Sequence, residues 1–292
     1  MPERLLLRSY LFAPGSDEHK MRKALSSGAD AVVFDLEDAV APADKVRARA
    51  AVGRLIEDLD GASAAEIHVR VNRNRDAYDP ADLSAVLVPG LAALRLPKCE
   101  SASDVRAVEV MLDDLEPERG IGRGTVRLFC TIESAGGVIA ASEIAGAGRR
   151  VAALVFGPAD FAASISVSDP PFEATLLARS TLVLASAAAG VAPPVDGAFL
   201  DVTDLEGLRA HCHRVRGLGF MGKSAIHPRQ VEVLHDVFTP STEEVERARR
   251  VIATTKGGNN TGVVDGGFVD PPVIAQARAV VDLARRLDSK GE

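Results

Sequence analysis

The stretch Ala31-Val32-Val33-Phe34-Asp35-Leu36-Glu37-Asp38 runs from four apolar residues straight into acids. Alternation of apolar and polar residues marks a strand with one wet face, whereas an unbroken apolar run marks a strand buried on both faces. The acids would then stand where the strand emerges. The same grammar recurs along the chain. Further runs lie at Leu5–Phe12, Glu66–Val71, Ala93–Leu96, Val126–Ile132, Ala152–Phe156 and Gly219–Ile226, with a weak one around Pro193–Val195. Amphipathic stretches separate them, at Asp17–Ser27, Ala43–Leu59, Asp79–Leu87, Ser101–Leu115, Gly136–Ala147, Phe172–Ala189 and Asp204–Leu218. Eight runs alternating with helices predict an α/β fold, a TIM (β/α)8 barrel, with an open doubly wound sheet as the competitor. Ser101 with Asp104 marks a helix start, and Ser16 could do the same for the first helix.

The barrel is expected over residues 1–238. Beyond it, Ser241–Ala253 reads as a helix, Thr254–Gly267 as a polar, Gly-rich stretch, and Pro272–Leu287 as a last helix. Residues 239–292 thus form a C-terminal helical extension and lid, expected to pack over the barrel or on a neighbouring subunit.

Composition narrows the function. The 292 residues carry 34 Lys+Arg against 41 Asp+Glu, a formal charge of −7, with no Trp and two Tyr. An acidic chain without aromatic platforms is not expected to bind nucleic acid. No stretch reads as a membrane span, and the Leu run at the start is too short for a signal-peptide core. Cys99, Cys130 and Cys212 lack metal or redox spacing and are read as reduced thiols of a cytoplasmic protein, Cys130 as part of the core.

In a barrel, chemistry gathers where strands end. Polar residues follow every apolar run: Glu37 and Asp38 after the second, Arg70 at the third, Lys98 after the fourth, Glu133 after the fifth, Asp160 after the sixth. Carboxylates converging on one rim repel unless a cation sits among them. Mg²⁺ is held by one or two carboxylates, with water and substrate oxygens completing an octahedron. Glu133 and Asp160 are the expected direct ligands, with Glu37 and Asp38 behind them orienting metal-bound water. A guanidinium at Arg70 can fix a carboxylate or stabilise an enolate oxygen. Neither GxxxxGK[ST] nor a strand-borne GxGxxG is present, so nucleotide chemistry has little support. Asp17, Asp104 and Asp204 read as helix caps, His227 as a turn former, and Lys20 and Lys23 as a solvated helix face.

The ordered series Arg8-Ser9-Tyr10-Leu11-Phe12-Ala13-Pro14-Gly15, Asp35-Leu36-Glu37-Asp38, Val69-Arg70-Val71-Asn72, Leu96-Pro97-Lys98, Ile132-Glu133-Ser134-Ala135-Gly136-Gly137, Phe156-Gly157-Pro158-Ala159-Asp160 and Ala225-Ile226-His227-Pro228 resembles the HpcH/HpaI aldolase/citrate lyase family, in particular its citrate lyase β-subunit-like members. The resemblance implies a homotrimer or trimer-based assembly and Mg²⁺-dependent carbon–carbon cleavage or condensation of a short 3-hydroxyacyl-CoA thioester, of malyl- or citramalyl-CoA type. It carries metal binding onto Glu133 and Asp160, substrate binding and catalysis onto Arg70, and the acidic pair onto Glu37 and Asp38. It also places Phe12 and Lys23 where relatives contact coenzyme A, although His19 stands where some relatives have Lys. Val264–Asp270 resembles the family's lid, with Asp270 as an acid/base that enters a neighbouring subunit's site. Three further readings stay open. One is a citrate lyase β subunit working with an acyl-carrier partner, another a pyruvate-class aldolase acting on free keto acids, and the third a non-catalytic ligand-binding relative.

Overall fold

The computed structural model describes residues 6–59, 61–75, 77–168, 170–254 and 261–289. Eight parallel strands close into a barrel: β1 (Ser9–Pro14), β2 (Ala31–Asp35), β3 (Glu66–Arg70), β4 (Leu91–Leu96), β5 (Arg127–Ile132), β6 (Val151–Phe156), β7 (Ala192–Asp196) and β8 (Gly222–Ala225). Each pairs with its neighbours in sequence, and β8 closes on β1. All five residues of β2 are buried, as its unbroken apolar run requires. Side chains from alternate positions fill the interior, among them Tyr10, Val33, Ala93, Phe129 and Val155. The weak seventh run is a true strand. Pro193 and Pro194 have no N–H to donate, yet the Pro194 carbonyl accepts from Met221 N at 3.0 Å.

Helices return the chain between strands: α1 (Glu18–Leu25), α2 (Lys45–Leu59), α3 (Pro80–Val86), α4 (Ala102–Glu118), α5 (Ala135–Ile139), α6 (Ala141–Ala145), α7 (Pro158–Ser164), α8 (Leu176–Ala189), α9 (Leu205–Leu218) and α10 (Arg229–Phe238). Asp17, not Ser16, caps α1, its carboxylate accepting from Lys20 N. Ser101 and Asp104 form a full capping box, and Asp204 caps α9. The single helix expected over Gly136–Ala147 is two short ones that meet at Ala140; Gly136 and Gly137 give little support to a longer helix. Helix α7 is too short for its sequence to show a helical period.

One expectation needs correcting. The segment Phe172–Ala189 is long and apolar enough to cross a membrane by length and composition. In the fold it is a 3₁₀ turn leading into α8, and its Arg179 is buried and hydrogen-bonded to Asp196 on β7.

The chain divides into two compact units, Met1–Leu234 and His235–Glu292, and α10 spans the division. The second unit contains α11 (Thr242–Ala253), a hairpin of β9 (Gly262–Val264) and β10 (Gly267–Val269), and α12 (Pro271–Asp288). The expected polar stretch Thr254–Gly267 therefore ends in a hairpin, while 255–260 lie outside the described residues. Asp265 and Gly266 both take positive φ, 51° and 77°, the geometry an Asp-Gly two-residue turn supplies. Ala248, Val251, Val269, Ile274 and Ala277 form this unit's own core.

Candidate active site

The C-terminal mouth of the barrel is organised around Asp35, the last residue of β2. Its carboxylate accepts from the backbone N–H of Glu37 and of Ala39 at 2.8 and 3.0 Å. In register on β3, Arg70 grips it with two prongs, Nε to Oδ1 at 2.7 Å and Nη2 to Oδ2 at 2.6 Å. The remaining prong, Nη1, reaches Glu37 Oε2 at 3.0 Å and Asp38 Oδ2 at 3.3 Å. The Phe12 ring lies against the guanidinium, 5.4 Å from its centre. Such a cage fixes Arg70 firmly, with Asp35 held tightly and Glu37 and Asp38 on its outer prong.

Lys98 ties this cluster to Glu133. Its Nζ donates to Glu37 Oε1 at 2.6 Å, and its backbone N–H donates to Glu133 Oε1 at 2.7 Å. Lys98 holds a left-handed φ of 52°, uncommon for a residue with a side chain. That twist lets one residue address both acids. Glu133 leans over Gly157: a Cβ there would fall 2.6 Å from its Oε2. Glycine at 157 is thus a steric requirement of the buried carboxylate.

Glu133 is short of positive charge. Burial first, then the charge of Glu37 and that of Asp160, push its pKa up to about 8, against the Lys98 N–H and the Arg70 charge. Burial likewise raises Glu37. Asp160 sits in the first turn of α7, exposed at the mouth. Among the described residues no three His, Cys, Asp or Glu side chains converge as a ready metal cage. A two-carboxylate donor set is nevertheless what a hard cation that keeps water and substrate oxygens needs. A cation there would relieve the mutual repulsion of Glu133, Glu37 and Asp160.

A cavity of about 1080 Å³ opens here, lined by Phe12, Arg70, Glu133 and Asp160 together with Arg95, Arg179 and Lys223. Its second side is a buried cationic group. Asp196 on β7 accepts from Arg179 Nε at 3.0 Å and from Lys223 Nζ at 2.5 Å, with His211 Nδ1 3.8 Å away. Burial and the neighbouring Lys223 charge push the His211 pKa down to about 3, so it is neutral at ordinary pH.

Four of the sequence-predicted residues, Phe12, Arg70, Glu133 and Asp160, therefore share the cavity, and Glu37 and Asp38 touch Arg70 from behind. Lys23 does not line it; it is exposed in the last turn of α1. Asp270 lies in the second unit, where its side chain accepts from Val273 N at 3.1 Å as the N-cap of α12. His227 shapes its turn, Nδ1 accepting from Arg229 N at 3.2 Å. Sequence reasoning missed Asp35 as the anchor of Arg70 and Lys98 as the bridge. It also missed Arg95, whose charge sits inside the apolar run Ala93–Leu96.

A closed parallel barrel with acids, arginines and a cavity at its C-terminal mouth is the architecture of a (β/α)8 enzyme. The sequence profile of the HpcH/HpaI aldolase/citrate lyase family matches residues 8–228. The chain is 34% identical over 294 residues to the citrate lyase subunit beta of Leuconostoc mesenteroides subsp. cremoris, covering 98% of this chain and 97% of that one. It is 37% identical over 284 residues to a (3S)-malyl-CoA thioesterase of Cereibacter sphaeroides, covering 96% and 95%. Among solved structures it is similar to CitE from Mycobacterium tuberculosis in complex with magnesium, acetoacetate and coenzyme A, with a TM-score of 0.77, 30% identity and coverage of 95% and 97%. The chain belongs to the HpcH/HpaI aldolase/citrate lyase family and is an enzyme of the carbon–carbon lyase class.

Proposed function

We propose that the protein is a Mg²⁺-dependent lyase that cleaves, or in reverse forms, a short 3-hydroxyacyl-CoA thioester such as malyl- or citramalyl-CoA. The observation that carries this reading is Glu133, buried beside Asp160 and Glu37, with its pKa driven up to about 8 in a cavity it shares with Arg70. Magnesium and coenzyme A in the mycobacterial CitE complex, and the malyl-CoA thioesterase relative, support it.

Glu133 and Asp160 would hold the ion. Bound there, Mg²⁺ would polarise the substrate oxygen destined to become the oxo-acid carbonyl. Glu37 and Asp38 would orient water behind the ion and restrain Arg70. As the carbon–carbon bond breaks, its electron pair passes to the thioester half, and the Arg70 Nη1 prong stabilises the oxygen that gains charge. Asp270 of a neighbouring subunit would protonate the thioester carbon, or remove that proton in condensation. A homotrimeric assembly is part of this reading; Leu177 and Leu184, seven residues apart and exposed on α8, supply apolar surface for it. Phe12 would contact coenzyme A at the mouth, with Lys23 farther out on α1. Three buried free thiols agree with a cytoplasmic setting.

The similarity to a citrate lyase subunit beta favours one second reading, a thioester borne by an acyl-carrier partner rather than by free coenzyme A. Mass-spectrometric product detection with Mg²⁺, a set of 3-hydroxyacyl-CoA compounds and chelator controls tests the proposal. Chelator-sensitive release of an oxo acid and a shorter acyl-CoA is expected; no cleavage of any CoA thioester, with turnover only of carrier-bound substrate, would shift the assignment to the second reading. Asp270→Asn tests the acid/base. Asparagine caps a helix about as well as aspartate, so folding should persist while turnover falls by about 10²–10⁴-fold.

A further inference from the structure

A hairpin after β3, Arg73–Asn74 paired with Ala77–Tyr78, reaches across to the turn at Lys98. The buried Tyr78 hydroxyl donates to the Pro97 carbonyl at 2.9 Å. Its oxygen lies 3.0 Å from Cys99 Sγ, so with that proton spent the thiol is the donor of the pair. Arg73 Nη1 donates to the Lys98 carbonyl. The same guanidinium is clamped by Asp104 in the first turn of α4, Nη1 to Oδ2 at 3.0 Å and Nη2 to Oδ1 at 2.9 Å. The Cys99 N–H donates to the Thr131 carbonyl on β5 at 3.0 Å. The carbonyls of Pro97 and Lys98 and the N–H of Cys99 are thus all held from outside the turn.

The need for so many restraints lies in Lys98 itself. Its φ of 52° brings Cβ against the following carbonyl, a cost that glycine escapes. A residue with a side chain stays in that region only where its surroundings over-determine it. Relaxed to an ordinary φ, Lys98 would lose the geometry in which its N–H meets Glu133 Oε1 at 2.7 Å and its Nζ meets Glu37 Oε1 at 2.6 Å. Resting on the lyase reading, in which Glu133 holds the cation, we propose that Tyr78 and Arg73 are positioning residues for the metal site. They hold the left-handed turn, the turn sets Lys98, and the Lys98 N–H sets the Glu133 carboxylate. Neither Tyr78 nor Arg73 lines the cavity, so their effect reaches the ion through that backbone.

Calorimetric titration of Mg²⁺ into full-length wild type, Tyr78→Phe, Lys98→Gly and the double variant tests this, with thermal melts of each. Tyr78→Phe keeps the buried ring, and Cys99 Sγ keeps the Leu96 carbonyl 3.4 Å away as an acceptor, so the variant should fold. It should bind Mg²⁺ about fivefold more weakly than wild type, the worth of one hydrogen bond. Glycine enters the left-handed region without strain, so in the Lys98→Gly background the same substitution should change affinity by less than about twofold. Loss of the Lys98 charge is common to both members of that second pair and cancels. An unchanged Mg²⁺ affinity in Y78F, even with a lowered melting temperature, overturns the positioning role and leaves the lyase reading standing. A loss of equal size in both backgrounds does the same. Should Y78F fail to fold, Arg73→Lys carries the comparison, because one ammonium cannot keep both the Asp104 clamp and the Lys98 carbonyl. Absence of Mg²⁺ binding in wild type overturns the lyase reading and this assignment together.

Discussion

The two sides of the barrel mouth carry opposite imbalances. On the side built by β2, β3, β5 and the loop after β4, the carboxylates of Asp35, Glu37, Asp38 and Glu133 are met by Arg70 and by Lys98. On the side built by α8, β7 and β8, the single carboxylate of Asp196 serves both Arg179 and Lys223. Arg95, on β4, adds a buried guanidinium with no hydrogen-bond partner among the described residues. Neither imbalance is accidental packing, because an apolar core would be cheaper on both sides. One side is built to accept positive charge and the other negative. A ligand made of a cation and an anionic acid satisfies both at once.

The largest effect that can break this comparison falls on the acidic side. Glu133→Gln should abolish measurable Mg²⁺ binding and lower turnover by about 10³-fold or more, as loss of a metal's electrostatic work does. Arg70→Ala should lose turnover to a similar degree while Mg²⁺ still binds by calorimetry. Near-wild-type activity in Arg70→Ala on a cleaved substrate would remove Arg70 from the chemistry.

Next comes the cationic side, whose integrity is structural first. Asp196→Ala strands Arg179 and Lys223, both almost fully buried. It should lower stability by about 3–5 kcal/mol, read from urea unfolding. A loss under ~1 kcal/mol would mean that water already satisfies those cations.

A third effect links the interior to pH. His68 is wholly buried between Tyr10 and Phe129, and burial, with Arg95 adding to it, drives its pKa down to about 4 from the usual 6.5. The folded protein holds it neutral, whereas the unfolded chain takes up a proton below pH 6.5. This contribution is therefore complete above pH 6.5 and is lost as pH falls toward 4. It amounts to up to about 3 kcal/mol. His68→Phe should flatten that part of the pH–stability curve; an unchanged slope would locate the protonation elsewhere.

The smallest test sharpens the acidic side. Lys98 is half exposed and competes with any cation for Glu37. Lys98→Met should tighten Mg²⁺ binding by about threefold, the scale of one partly solvated ion pair. Weaker binding would show that its backbone twist, not its charge, matters to Glu133.

Much of this was legible in the chain. Strands buried on both faces announce themselves as unbroken apolar runs, so β2 and β5 stand out, and residues after a run must lie at a strand end. Arg70, Glu133 and Asp160 could be brought together on that logic alone, whereas Phe12 came only from the family resemblance. Three things could not. Asp35 reads as one more acid until register sets it beside Arg70. Lys98 acts through a left-handed backbone that no glycine advertises, and Pro97 before it marks only a turn. Arg95 hides because averaging over an apolar run discards a single charge, and only the closed barrel shows that its side chain turns inward. A lone arginine inside an otherwise continuous buried strand was the available signal.

The proposed chemistry requires Glu133 and Asp160 to share one ion beside Arg70. Anomalous diffraction from crystals of the full-length protein soaked in Mn²⁺ tests that most directly. One peak bonded to a carboxylate oxygen of each residue, within the cavity that Arg70 lines, is the predicted result. A peak held by only one of them, or lying outside that cavity, would contradict it.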